Sequence, residues 1–128
     1  MIRFPGMNPE AKQENFRRGL ECFNQRRFFE CHEALEAIWL EEPDAEKPFY
    51  QGLIQVAAGF HQFFEKRNPK GALSLLHAGA EKLRRYPPGH HGLDLAALLA
   101  ALDPWLDHLA RTAPGEPPPV PTIPPVRR

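Results

Sequence analysis

His32 and Glu36 stand four residues apart in the run Phe28-Phe29-Glu30-Cys31-His32-Glu33-Ala34-Leu35-Glu36-Ala37-Ile38-Trp39. On a helix turning about 100° per residue, that spacing brings an imidazole and a carboxylate together on one face. Such a pair can share one divalent ion, or the carboxylate can orient and charge the imidazole for general acid–base work. Phe28, His32, Leu35 and Trp39 fall in one narrow stripe, so the histidine interrupts an apolar face. Burying an ionisable pair costs free energy unless its polar atoms are satisfied. The architectural alternative is a buried His–Glu hydrogen bond that only fixes helix register.

Other residues could complete a site around this pair. Glu33 projects about 100° round from His32 and joins only if the site lies in a groove between two faces. Gln51, Gln55 and Gln62 fall within about 40° of one another on a later helix. An exposed face would carry lysine and glutamate there, so the glutamines predict a partly buried polar strip, with Gln51 and Gln55 as candidate pocket lining opposite His32. Trp39 is a candidate wall, although by residue type alone it reads first as a large core residue one turn beyond Leu35. His61, His77 and His108 read as isolated core or boundary residues. His90 and His91 are adjacent in a Pro/Gly loop, a weak metal signal without partners nearby in sequence. The chain has no phosphate-binding glycine loop and no GxSxG; its HExxE run lacks the second histidine of the zinc-protease HExxH motif.

The totals narrow the function classes. A chain of 128 residues suits one domain. Sixteen acidic and sixteen basic residues give a formal charge of zero, without the basic excess expected of a nucleic-acid or membrane-surface protein. The longest uncharged run, Phe49 to Phe64, is shorter than the about 20 residues that span a bilayer. No signal-peptide pattern opens the chain, and Cys22 and Cys31 form no CxxC, so a cytoplasmic protein with free buried thiols is expected.

The elements that must position the pair are helices. Asn8-Pro9-Glu10 supplies an N-cap, a proline at the first helical position and an acid, predicting a first helix from about Pro9 to Phe23. The second is the opening stretch, ending near Glu42-Pro43. The third, about Lys47 to Lys66, is apolar over most of its girth through Phe49, Leu53, Val56 and Phe60, and is therefore the enclosed central helix. Gly52 and Gly59 share a face, which predicts close approach of another backbone. Asn68-Pro69 starts a fourth helix to about Arg85, and a fifth spans about Leu93 to Ala110 with a candidate bend at Asp103-Pro104. No period-2 alternation predicts a sheet. Residues 1–7 read as a leader laid across the body. Seven of the fifteen prolines fall after residue 113, so the C-terminal segment is extended, either offering PxxP spacings to a partner or pinned on its own bundle through Val120, Ile123 and Val126.

Three segments in order, His32-x-x-x-Glu36-x-x-Trp39, Gln51-Gly52-Leu53-Ile54-Gln55 and Asn68-Pro69-Lys70-Gly71-Ala72, resemble a bacterial and archaeal family of small helical proteins of unknown function. The resemblance covers about residues 12 to 85. It implies a compact all-α bundle with one enclosed helix, and a suggested metal site at His32 and Glu36 beside Trp39.

The expected protein is an all-α five-helix domain over 1–112 with a proline-rich tail over 113–128. His32 and Glu36 are its candidate catalytic and metal-ligating groups, Glu33, Trp39, Gln51 and Gln55 its candidate ligand-binding residues, and Zn²⁺, Mn²⁺ or Fe²⁺ its candidate ion. Its chemistry would be metal-assisted or general-base hydrolysis. The competing class is a non-catalytic helical interaction module, with a protein partner or a second copy, in which His32–Glu36 is structural. A functional pair must border a cavity open to solvent; a structural pair should be sealed.

Overall fold

The computed structural model describes residues 7–111 and 115–123. Within them the chain forms five α-helices: α1 (Pro9–Asn24), α2 (Phe28–Trp39), α3 (Lys47–Phe64), α4 (Pro69–Leu83) and α5 (Leu95–Arg111). A single 3-10 turn occupies His90–Gly92, and no strand occurs among the described residues. The two asparagine–proline starts act as the sequence predicts. Asn8 Oδ1 accepts from Ala11 N at 2.7 Å, and Asn68 Oδ1 from Gly71 N at 3.0 Å, each satisfying an N–H that the helix leaves without a partner.

Four helix ends differ from the sequence reading by two or three residues: α3 stops at Phe64 rather than Lys66, α4 at Leu83 rather than Arg85, and two more differ for plain local reasons. α2 stops at Trp39 rather than near Glu42, because Glu41 N and Glu42 N bond back only three residues, to Ile38 O and Trp39 O. The chain tightens into turns ahead of Pro43, which cannot continue the ladder. α5 begins at Leu95 rather than Leu93, because Asp94 caps it: Asp94 Oδ1 accepts from Ala97 N at 3.0 Å. Pro104 lies inside α5.

The bundle packs around α3, which touches the other four helices. The Phe60 ring of α3 has its centroid 6.0 Å from Phe23 of α1, 5.3 Å from Phe28 of α2 and 5.0 Å from Trp105 of α5. Towards α4 the contact is backbone to backbone, as the shared face of Gly52 and Gly59 predicts. A Cβ built on Gly52 would lie 3.1 Å from Gly79 O, and one on Gly79 would lie 2.7 Å from Gly52 O. Only glycine allows that approach. Cys22 and Cys31 are free and buried.

The proline-rich segment packs on this bundle. Asn24 grips it with both ends of one amide: Oδ1 accepts from Ile123 N at 2.7 Å and Nδ2 donates to Ile123 O at 3.3 Å. Trp105 Nε1 donates to Pro119 O at 3.0 Å, Ile123 is buried in the core, and Val120 packs against it. Val126 and residues 1–6 of the expected leader lie outside the described residues. Among the described residues no helix is long and apolar enough to cross a membrane.

Candidate functional site

The turn before α2 sets where His32 points. Arg26 takes a left-handed conformation at φ 64°, and the Schellman pattern closes α1: Arg26 N bonds Phe23 O at 2.9 Å and Arg27 N bonds Cys22 O at 2.7 Å. The chain reverses, and Phe28 stacks on Phe60 near the C-terminal end of α3. One turn on, His32 faces the seam between α2 and α3.

There it borders a cavity of about 210 Å³ lined by Phe28, Phe29, His32, Ala58, His61, Gln62 and Lys66. Phe29 is 52% exposed and stands between two imidazoles. Its ring centroid is 6.3 Å from that of His32, nearly parallel at 16°, and 5.8 Å from that of His61. Phe28, Phe29 and Ala58 are its apolar lining, while His32, His61, Gln62 and Lys66 bring polar groups from α2, α3 and the turn after α3.

His32 and Glu36 form the predicted i, i+4 pair, with Nε2 and Oε2 3.5 Å apart. That gap is wider than a good hydrogen bond, so the pair is open to a third group rather than closed on itself. The side chains are 33% and 47% exposed, so the pair is not sealed. His32 Nδ1 is buried and, among the described residues, has no hydrogen-bond partner. A lone pair there is a cheaper orphan than an N–H, which assigns the ring proton to Nε2, on the side of Glu36.

The remaining candidates disperse. Glu33 is exposed, and no His, Cys, Asp or Glu of the described residues joins His32 and Glu36 as a third ligand. Trp39 lies one turn beyond Leu35 under Lys47, whose Nζ is 4.6 Å from its ring centroid; its Nε1 is buried without a partner among the described residues. Gln51 is half-buried. Gln55 turns to α4 and accepts from Lys82 Nζ at 2.9 Å. Of the glutamine strip, Gln62 is the member that lines the cavity, and it also accepts from Asn68 Nδ2 at 3.2 Å.

The sequence marks His61 only as a lone core or boundary histidine. Its place follows from the Phe28–Phe60 stack: the residue after Phe60 must lie beside the first turn of α2. Periodicity within one helix carries no such register between helices.

A second His–Glu grouping lies at the other end of α3. His90 Nε2 and His91 Nε2 stand 3.0 and 3.2 Å from one oxygen of Glu46, the residue that precedes α3. The three ligand atoms lie within 4.8 Å of one another, close enough for one ion to reach all three. Partial burial raises the Glu46 carboxyl pKa, but hydrogen bonds from His90 and His91 and their charge outweigh it, so the net shift is downward. Burial above all, with the charges of Glu42 and Glu46, pushes the neighbouring Tyr50 phenol upward and keeps it protonated.

Residues 16–75 match the family described as a domain of unknown function (DUF309). The matched stretch lies within the residues that carry the motif resemblance. It includes His32, Glu36, His61 and Glu46 and stops short of His90 and His91. No curated protein matches the chain.

Proposed function

We propose that this chain binds a small organic molecule in the α2/α3 cavity, and that its chemistry is general-base hydrolysis by His32 and Glu36. One observation carries the reading: the pair is unsealed, with His32 on the wall of a cavity and Glu36 nearly half exposed beside it. A pair that served only helix register would be closed off and fully hydrogen-bonded.

The cavity chemistry selects the ligand class. At about 210 Å³ it is below the about 300–1,000 Å³ of drug-sized sites and above the about 150 Å³ that takes up benzene. One ring or a short chain fits. Phe28, Phe29 and Ala58 suit an apolar body, while Lys66, His61 and Gln62 suit a carboxylate or ester carbonyl. In the hydrolytic step a water held between His32 and Glu36 gives its proton to the Glu36 carboxylate as its oxygen attacks the carbonyl carbon. The His32 Nε2–H donates to that oxygen and orients it; the tetrahedral intermediate then collapses, the ester C–O bond breaks, and Glu36 returns the proton to the departing alkoxide or phenoxide oxygen. A divalent ion is not part of this reading, since only two ligand residues meet there among the described residues.

Benzoate and phenyl acetate test it. Titrated into the protein, they should move the ring signals of His32 and His61 and leave His108 unmoved. Phenyl acetate hydrolysis should fall about 100-fold or more in Glu36→Gln, the usual scale for one general base. No shift at millimolar ligand would remove the cavity from consideration as a site. A rate unchanged by Glu36→Gln would leave binding without the proposed chemistry.

A further inference from the structure

We infer that Glu46, His90 and His91 form a transition-metal site distinct from the α2/α3 cavity, taking one divalent ion of the zinc type with coordination positions left open. The inference does not rest on the reading of His32 and Glu36.

Geometry is the first support. Zinc-type ions hold nitrogen and oxygen ligands at about 2.0–2.2 Å, which sets neighbouring ligand atoms about 2.9 Å apart at right angles and about 3.4 Å apart in a tetrahedron. The imidazole nitrogens stand 3.0 and 3.2 Å from the Glu46 oxygen, inside that interval. Hydrogen bonding can use the same distances. It then asks one oxygen to accept from two ring N–H groups, and an ion replaces both protons at once.

Backbone strain is the second and independent support. His91 sits in the left-handed region at φ 51° inside the 3-10 turn. For a residue with a Cβ this conformation is strained. Consecutive side chains ordinarily diverge by about 100° in a helix and point to opposite faces in a strand. The left-handed residue instead brings two neighbouring imidazoles, with ring centroids 4.3 Å apart, to the same carboxylate oxygen.

The surroundings hold the ligands in place before any ion arrives. The His90 ring lies 4.8 Å from both Phe49 and Tyr86, and the His91 ring 5.0 Å from Phe49 and 5.8 Å from Tyr50. Tyr86 Oη donates to Ala45 O at 3.0 Å, tying the histidine loop to the residue beside Glu46. His91 also lines an open cavity of about 270 Å³ with Lys12, Phe16 and Tyr50, so water can reach the ion. Two imidazoles and a carboxylate favour Zn²⁺, Mn²⁺, Fe²⁺ or Co²⁺ over Ca²⁺ or Mg²⁺, which prefer all-oxygen sets.

The test is calorimetry of the full chain, stripped with a chelator, against Zn²⁺ and Co²⁺ alone. The expected result is one equivalent bound, weakened more than about 100-fold in His90→Ala/His91→Ala and unchanged in His32→Ala/Glu36→Ala. Ring-proton spectra of the wild type need no variant to fold: Zn²⁺ should shift His90 and His91 and leave His32 and His61 in place. An absence of binding by the wild type overturns the inference, and so does binding that moves His32 instead of the adjacent pair.

Discussion

The two ends of α3 carry the same residue types arranged in opposite ways. At its C-terminal end, His32 and Glu36 meet because four residues of one helix separate them, and any helix with that spacing has such a pair. Their atoms are 3.5 Å apart and partly open to solvent, and no third ligand of the described residues joins them. At its N-terminal end, Glu46 meets two histidines 44 and 45 residues away, at 3.0 and 3.2 Å, inside an aromatic shell. The first pair comes from local periodicity and borders a cavity. The second comes from tertiary packing and a strained residue. Short spacing brings groups together at little cost and holds them loosely. Tertiary placement costs more and fixes ligand atoms closely, which suits an ion better than an exchanging organic molecule.

The largest effect should come from the scaffold that both ends share. Gly79→Ala puts a Cβ 2.7 Å from Gly52 O, a backbone atom, so α3 and α4 must move apart. Urea unfolding should show a loss of about 1–3 kcal/mol, the usual cost of overpacking. The ring signals of His32 and His91 should move together, because α3 positions both. Movement at one end alone would break the picture of a common scaffold.

The next effect separates the ends. Glu46→Ala removes the acceptor for two imidazoles and should cost about 1–2 kcal/mol without added metal. Glu36→Ala removes an exposed partner and should cost less than about 0.5 kcal/mol. Equal losses would mean that the helical pair is structural after all.

The smallest effect sharpens the contrast within α2. Burial, and then the charge of Cys22, push the Cys31 thiol up to about 12, one residue from the open His32. Iodoacetamide at pH 8 should leave native Cys31 unmodified while diethyl pyrocarbonate modifies His32. The linked stability has a definite sign. The folded thiol keeps its proton above its ordinary value of 9.0, so this contribution is complete below pH 9 and declines as pH rises towards 12. Cys31→Ala should lose that alkaline decline, as measured by urea midpoints between pH 8 and 11.

What could be read in advance divides along the same line as the two sites. The caps at Asn8 and Asn68, the apolar girth of α3 and the glycine contact with α4 are visible because each acts within one helix or through one face. His32 beside Glu36 was visible for the same reason. Glu46 was not, since its partners depend on how the loop after α4 folds back over α3. Nor was His61, whose role depends on the register of α2 against α3. The grip of Asn24 on Ile123 spans 99 residues and has no local signature. Gln55 shows the limit of helical arithmetic: it lies near Gln62 by angle, yet it is drawn to Lys82 of α4 by a hydrogen bond that no single-helix pattern contains.

The most direct single measurement is a side-chain histidine NMR spectrum of the wild-type chain, titrated first with Zn²⁺ and then with benzoate. Two separate sites predict that Zn²⁺ moves His90 and His91 alone, and that benzoate then moves His32 and His61 alone. Zn²⁺ shifting His32, or both additions moving the same histidines, would contradict the division of labour between the two ends of α3.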